Sequence, residues 1–288
     1  MNAGNSIKYC MDWGMKNRIS RIINPETGRC VMLAVDHGYF QGPTTGLRNL
    51  DESVNPLLPY ADAIMITGGA LKNWINPAMN KPVVLRVSGG NSMELPDELS
   101  DEVITANVED AIRINASAIT CSVYIGSPHQ RQTIENLAKI VNEGNKYGIQ
   151  VLAVTAVGRR LSQEGGKDAK DIVRNERYLG LASRICVEMG AHMVKTYYCD
   201  EFEKVVAACG NVPVVIAGGK KIDELDALKM AHNAVSAGAR GVDMGRNIFQ
   251  SDCPIGMIKA KRAIVHDNAP VESAYDVYVK EKARSGKR

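Results

Sequence analysis

A (β/α)8 barrel, an α/β fold of eight parallel strands each followed by a helix, is what this sequence predicts. Three observations predict it: eight short apolar, β-branched-rich runs, helical periodicity between them, and glycines where the helical patterns stop. The runs are nearly continuous in apolarity rather than alternating, as expected of parallel strands covered on both faces. At 288 residues the chain fits one such barrel of about 250 residues with an N-terminal extension. The expected organisation is a single barrel domain over residues 1–288, with residues 1–29 as the extension and 284–288 as a frayed basic tail.

In order, the runs are 31–36 (VMLAVD), 61–67 (ADAIMIT), 82–88 (PVVLRVS) and 116–124 (ASAITCSVY), then 149–155 (IQVLAVT), 191–197 (AHMVKTY), 212–218 (VPVVIAG) and 239–245 (ARGVDMG). After the fourth run, residues 130–147 place Ile134, Leu137, Ala138 and Val141 at helical spacing. After the fifth, residues 178–189 put Leu181, Ile185 and Val187 near one face. Residues 224–237 follow the seventh with Leu225, Leu228, Ala231 and Val235. Gly148, Gly190 and Gly238 stand at natural helix stops. Two more helical patterns, 254–266 and 271–283, close the chain. The least regular stretch is 158–177, polar and containing paired glycines, and in a barrel it is a long loop on the active-site face, either a mobile cover or a solvated excursion. A doubly wound open sheet is the rival fold, but the first run is not followed by a GxGxxG turn.

Composition removes several function classes. Lys plus Arg number 35 against 32 Asp plus Glu, and aromatics are 5% of the chain. A balance this near neutral argues against nucleic-acid binding as the main role, and few aromatics argue against a single-strand stacking platform. No uninterrupted apolar stretch reaches the roughly 20 residues of a membrane helix, and residues 1–9 carry no apolar signal core. Seven cysteines form no CxxC pair and lie mostly in apolar stretches, which points to reduced core thiols in a cytoplasmic protein. The five histidines are scattered, with no HExxH or close Cys/His pairing, so no metal site is expected.

A barrel carries its chemistry at the C-terminal ends of its strands. Lys195 lies between Val194 and Thr196 inside the sixth run. An unpaired ammonium is costly to bury there, so this lysine is either ion-paired or tuned downward to a neutral amine able to attack a ketone. Asp36 ends the first run, as an acid or base beside the substrate or as a cap of the following turn. His37 is a proton shuttle or a packed side chain, and Tyr124 a proton donor or a plain rim residue. Arg86 and Ser88 close the third run. Gly218, Gly219 and Lys220 follow the seventh, and Gly245, Arg246 and Asn247 follow the eighth, ahead of a short helix at 247–250. Loops seven and eight with a short helix form the usual barrel phosphate site, so a phosphorylated small substrate is expected.

The segments DHGYFQGPTTGL (36–47), KTYY (195–198), PVVIAGGKK (213–221) and GVDMGRNIFQSD (241–252) resemble the class I, Schiff-base aldolase family of the archaeal fructose-bisphosphate aldolase type. The resemblance runs from about residue 10 to 280 and is strongest to the branch of thiolases acting in autoinducer-2 degradation. It implies a (β/α)8 barrel assembled as a homodecamer. Lys195 becomes the Schiff-base lysine, Asp36 and His37 its partners, and Tyr124 a general acid. Gly218, Gly219, Gly245 and Arg246 become the phosphate loops. The implied reaction moves an acetyl group from 3-hydroxy-5-phosphooxypentane-2,4-dione to coenzyme A, a co-substrate rather than a bound cofactor, and releases dihydroxyacetone phosphate. The loop after the fifth run departs from that branch by the insertion SQEGGKDAKD. Arg86, Ser88, Arg159 and Lys220, with Arg160 and Lys167, are candidate contacts to the substrate or to coenzyme A. Cys199 is the candidate should an acyl-cysteine be used. Two other readings stay open, a plain class I aldolase or transaldol-type synthase acting on a sugar phosphate and a barrel that only binds a phosphorylated metabolite.

Overall fold

The computed structural model describes residues 11–95, 99–158 and 174–286. Eight strands form a closed parallel barrel: β1 (Cys30–Ala34), β2 (Ala63–Thr67), β3 (Val83–Arg86), β4 (Ala118–Ile125), β5 (Gln150–Val157), β6 (Met193–Tyr197), β7 (Val214–Ala217) and β8 (Gly241–Met244). Each pairs with its chain neighbours, and β8 closes on β1 with Met32 beside Asp243. All eight apolar runs of the sequence therefore become barrel strands.

Alternation along the strands sorts their side chains into two cores. Inward, Cys30, Met32, Ala34, Met65, Val84, Leu152, Met193 and Val215 fill the lower barrel. Outward, residues such as Val31, Leu33, Ile64, Leu85, Ile119 and Val194 pack under the helices. The helix Trp13–Ile22 closes the bottom: Asp12 caps it by accepting from the Met15 N–H at 2.7 Å, and Ile19 and Ile22 join the inner core. Arg18 fixes it by donating to the Gly148 carbonyl at 2.8 Å.

The helix Gln130–Tyr147 buries Leu137, Ile140 and Val141 and ends at Gly148 in the left-handed region. The helix Glu224–Ser236 buries Leu228, Ala231 and Val235. The helix Glu176–Glu188 corrects one expectation in part: Ile185 and Val187 pack half-buried on the core as read, but Leu181 is 47% exposed and the fully buried face is Leu179, Ala182, Ser183 and Cys186. The helix packs on β5 and the helix Phe202–Ala208, and small Ala182, Ser183 and Cys186 are fully buried on it beside Leu179. Helices Pro254–Asp267 and Val271–Ser285 pack against each other at the end of the chain.

Between β3 and β4 the chain forms a two-stranded antiparallel ladder, Ser88 opposite Ile104 and Gly89 opposite Val103. Backbone carbonyl oxygen of Glu102 accepts from Gln132 Nε2 at 2.6 Å and Asn136 Nδ2 at 2.8 Å, which ties this ladder to the helix Gln130–Tyr147. Among the described residues no helix is long and apolar enough to cross a membrane.

β8 opens at Gly241 with φ +134°, and a Cβ there would strike the Cys30 carbonyl at the closure of the barrel. Gly241→Ala is expected to destabilise the protein by about 2–4 kcal/mol, from backbone strain plus overpacking. Urea unfolding checks this as a lowered midpoint with an unchanged slope.

Candidate active site

Where the apolar filling of the barrel stops, the inward positions become charged. Lys195 on β6 and Asp243 on β8 form an ion pair, Nζ to Oδ2 at 2.9 Å, with the aspartate fully buried. Asp36, two residues past β1, accepts from Arg86 Nε at 2.9 Å. Arg86 Nη1 continues to Ser122 Oγ at 3.0 Å on β4. Four strands thus contribute two buried ion pairs at one level, a juxtaposition no single stretch of sequence contains.

Their electrostatics differ. Burial pushes the Asp36 carboxyl up, but Arg86, Lys195 and His37 together pull it below the usual carboxylate range. Burial dominates at Asp243 and holds its carboxyl above that range despite Lys195, with Asp36 adding to the rise. Lys195 therefore faces one firmly ionised carboxylate and one more easily protonated.

His37 packs edge-on against Phe249, ring centres 5.7 Å apart, with Nδ1 3.9 Å from Asp36 Oδ1. Burial pulls its pKa down to about 4, helped by Lys195, Arg246 and Arg86 and opposed by Asp36. The imidazole is accordingly neutral near pH 7. The Tyr124 hydroxyl donates to Glu102 Oε1 at 3.3 Å, and burial with the nearby Glu102 raises the phenol well above its ordinary range.

Glu102 was not singled out in the sequence, yet it organises this rim. Fully buried, it accepts from Ser88 Oγ at 2.5 Å, Tyr39 OH at 2.7 Å and Asn91 Nδ2 at 3.1 Å besides Tyr124. Asp243 was also missed. Its signal was available, since an acidic residue inside the apolar eighth run raises the same burial question as Lys195 in the sixth. Glu102 lies in no apolar run and left no such trace.

The loops after β7 and β8 meet as expected. Asn247 Nδ2 donates to the carbonyls of Gly218 at 2.7 Å and Lys220 at 3.1 Å, while its Oδ1 accepts from the Ile222 N–H at 2.9 Å. Gly245 has no room for a Cβ, which would meet the Ala34 carbonyl and the rings of His37 and Phe249. Arg246 begins the short helix Arg246–Phe249, and its buried Nε finds no hydrogen-bond partner among the described residues. Arg174 brings a guanidinium over the Tyr197 ring at 5.8 Å and beside Gly219.

A cavity of about 240 Å³ joins these parts, lined by Asp36, His37, Arg86, Tyr124, Lys195, Tyr197, Gly218, Gly219, Asp243, Gly245 and Arg246. Ser88 stands behind it, and Lys220 is exposed and does not line it. Arg159, Arg160 and Lys167 lie outside the described residues. Cys199 does not line the cavity either, and burial pushes its thiol up to about 11. No cluster of three metal-ligating side chains occurs among the described residues. The arrangement offers a buried amine at the floor, carboxylates and a phenol around it, and two glycine-bearing loops with Arg246 and Arg174 on its rim.

Residues 30–251 match the model of the DeoC/LacD family of aldolases. Over 279 residues the chain is 51% identical to the 3-hydroxy-5-phosphonooxypentane-2,4-dione thiolase of Photorhabdus laumondii, covering 96% of this chain and 91% of that protein. It is 52% identical over 272 residues to the thiolase of the same name from Yersinia pseudotuberculosis, covering 94% and 89%. In fold it resembles the crystal structure of an archaeal fructose 1,6-bisphosphate aldolase, with a TM-score of 0.73 at 24% identity, covering 88% of this chain and 99% of that one.

The depressed His37 pKa has a stability consequence. An unfolded histidine takes up its proton near pH 6.5, whereas the native one does so only near pH 4. Native stability therefore falls as pH drops through that window, by about 3 kcal/mol from this group. His37→Gln is expected to flatten the stability curve between those limits relative to the wild type, measured by urea unfolding at several pH values.

Proposed function

This chain belongs to the DeoC/LacD family of aldolases, and on that premise we propose that it is a Schiff-base thiolase. It cleaves 3-hydroxy-5-phosphooxypentane-2,4-dione with coenzyme A to acetyl-CoA and dihydroxyacetone phosphate. The observation that carries this reading is the meeting, in one chamber of about 240 Å³, of the buried Lys195 amine with the glycine and arginine cradle of loops seven and eight. The Photorhabdus laumondii and Yersinia pseudotuberculosis relatives, which share half of its sequence, are named for that substrate and reaction.

The phosphate is held by backbone N–H groups near Gly218, Gly219 and Gly245, with charge from Arg246 and Arg174. Anchoring there sets the C4 ketone, next to the phosphate-bearing carbon, against Lys195. Asp243 takes a proton from the ammonium, which frees Nζ to attack C4, and returns it to the C4 oxygen, which leaves as water as the iminium forms. The coenzyme A thiolate adds to C2, and the C2–C3 bond then breaks. Its electron pair flows toward the iminium and leaves an enamine at C3–C4. The thiol proton is returned at C3, by way of Asp36, neutral His37 or Tyr124. Hydrolysis of the remaining iminium releases dihydroxyacetone phosphate and restores Lys195. The proposal includes a cytoplasmic homodecamer, which rests on family resemblance and is read by sedimentation velocity.

Borohydride reduction in the presence of the dione, followed by intact and peptide mass spectrometry, is expected to place one adduct on Lys195 and none in Lys195→Ala. Acetyl-CoA formation in a parallel sample completes the assignment. An adduct with no acetyl-CoA would mean a plain aldolase, and an adduct persisting in the alanine variant would remove Lys195 from the mechanism. Tyr124→Phe is expected to lower kcat about 10²–10⁴-fold while still forming the adduct.

A further inference from the structure

Among the described residues the chamber of about 240 Å³ is of a size for a five-carbon phosphate. A second cavity, of about 560 Å³, abuts it on the outer side of β2 and β3, and Tyr39 and Arg86 line both. Its cause is structural. The helices Gly68–Trp74 and Val108–Arg113 that follow this part of the barrel have 7 and 6 residues, against 18 in Gln130–Tyr147. The outer layer is therefore thin there, and the groove stays open beside β3. The Arg86 guanidinium over the Tyr39 ring, 5.2 Å from its centre, stands between the two spaces.

Polarity changes along this groove. At its mouth are the exposed cations Lys72 and Arg113 and one carboxylate, Asp110, which pairs with Arg113 at 3.2 Å and leaves Lys72 as the excess charge. Inward come Gly68, Gly69 and Thr105, offering backbone amides and a hydroxyl. A Cβ at Gly69 would meet nothing within 4 Å, so that wall faces open space. The floor is buried Leu85, Arg86 and Ser88. Charge outside, neutral hydrogen-bonding groups midway and a buried end beside the reacting carbons match an acceptor built from phosphates, an amide-containing arm and a terminal thiol.

We propose that this groove is the coenzyme A subsite, with phosphates at Lys72 and Arg113 and the pantetheine arm running over Gly69 to bring its thiol past Arg86 and Tyr39. The assignment rests on the acetyl-transfer reading above. The sulfur adds to C2, the C2–C3 bond then breaks with its electron pair going to the iminium, and the thiol proton ends on C3, so no oxidant or reductant takes part. Access from the side leaves the phosphate cradle and Lys195 occupied by the dione throughout.

Two variants test the groove, Lys72→Glu with Arg113→Glu to reverse the charge at its mouth and Gly69→Trp to fill it. Lys139→Glu, exposed on Gln130–Tyr147 and lining neither cavity, serves as control. Steady-state kinetics are expected to show the KM for coenzyme A raised at least tenfold in the double variant with kcat within threefold, and a similar or larger loss of kcat/KM in Gly69→Trp. Calorimetry with coenzyme A alone should show the same weakening, and the control should match the wild type. A wild type that forms acetyl-CoA while both variants keep its KM overturns the groove assignment and leaves the reaction standing. A wild type that neither binds coenzyme A nor forms acetyl-CoA overturns the reaction and the groove together. Loss of dione trapping on Lys195 in the groove variants, or an equal loss in the control, also overturns the assignment.

Discussion

Two ion pairs, Lys195 with Asp243 and Arg86 with Asp36, share one level of the barrel interior, and the rest of the site is arranged around their burial. Removing either cation would leave a carboxylate uncompensated in low dielectric, a defect that typically costs about 3–5 kcal/mol. Each member is held on or just past a strand whose register is set by the closure of the barrel. The apolar layer below, with Met32, Met65, Leu152 and Met193, keeps water from beneath, so the pairs are exposed only toward the cavity. A mobile scaffold could not hold four charges this way, because each would relax toward solvent.

The second consequence of that burial is that the neighbouring groups stay uncharged or hydrogen-bonded. His37 is pulled to neutrality by the same desolvation that strengthens the ion pairs. Glu102 is brought in from the ladder beyond β3 and meets hydroxyls from Tyr39, Tyr124 and Ser88. Ser88 Oγ in turn accepts from the Ser122 N–H at 3.1 Å, and Ser122 Oγ accepts from Arg86. The tyrosine expected as proton donor is thus positioned by a carboxyl that reaches, through serines, the guanidinium holding Asp36.

How much of this was legible follows from what kind of signal each residue leaves. The eight strands were legible because burial on both faces writes uninterrupted apolarity into the chain. Lys195 was legible as a charge that violates that pattern. Asp243 violated it equally, and an argument that had paired every charged residue in an apolar run with another would have found it. Glu102, Tyr39 and Arg174 were not legible, since their roles come from a ladder and loops folding back over the barrel. The face of Glu176–Glu188 was read only in part for a related reason: Ile185 and Val187 pack on the core, but Ala182, Ser183 and Cys186 are buried by proximity to neighbouring elements, which side-chain size does not report.

The charge balance of the chamber gives the last step. Asp36 with Arg86, and Asp243 with Lys195, cancel in pairs, and neither pair needs a substrate to be satisfied. Arg246 is different. Its Nε is buried with no partner among the described residues, and desolvation lowers its pKa from the ordinary arginine value. A buried guanidinium nitrogen left in that state is an unsatisfied donor, costly by about 1–3 kcal/mol or more for a charged group. In the proposed reaction, the substrate phosphate supplies the missing acceptor and the missing negative charge at once. Binding energy is thereby concentrated at the end of the substrate remote from the bond that breaks, while the paired charges beneath stay preorganised for proton transfer. In that reaction, iminium formation replaces the ammonium of Lys195 with another cation at the same place, and Asp243, having returned its proton to the departing water, keeps a charged partner through the bond-breaking step.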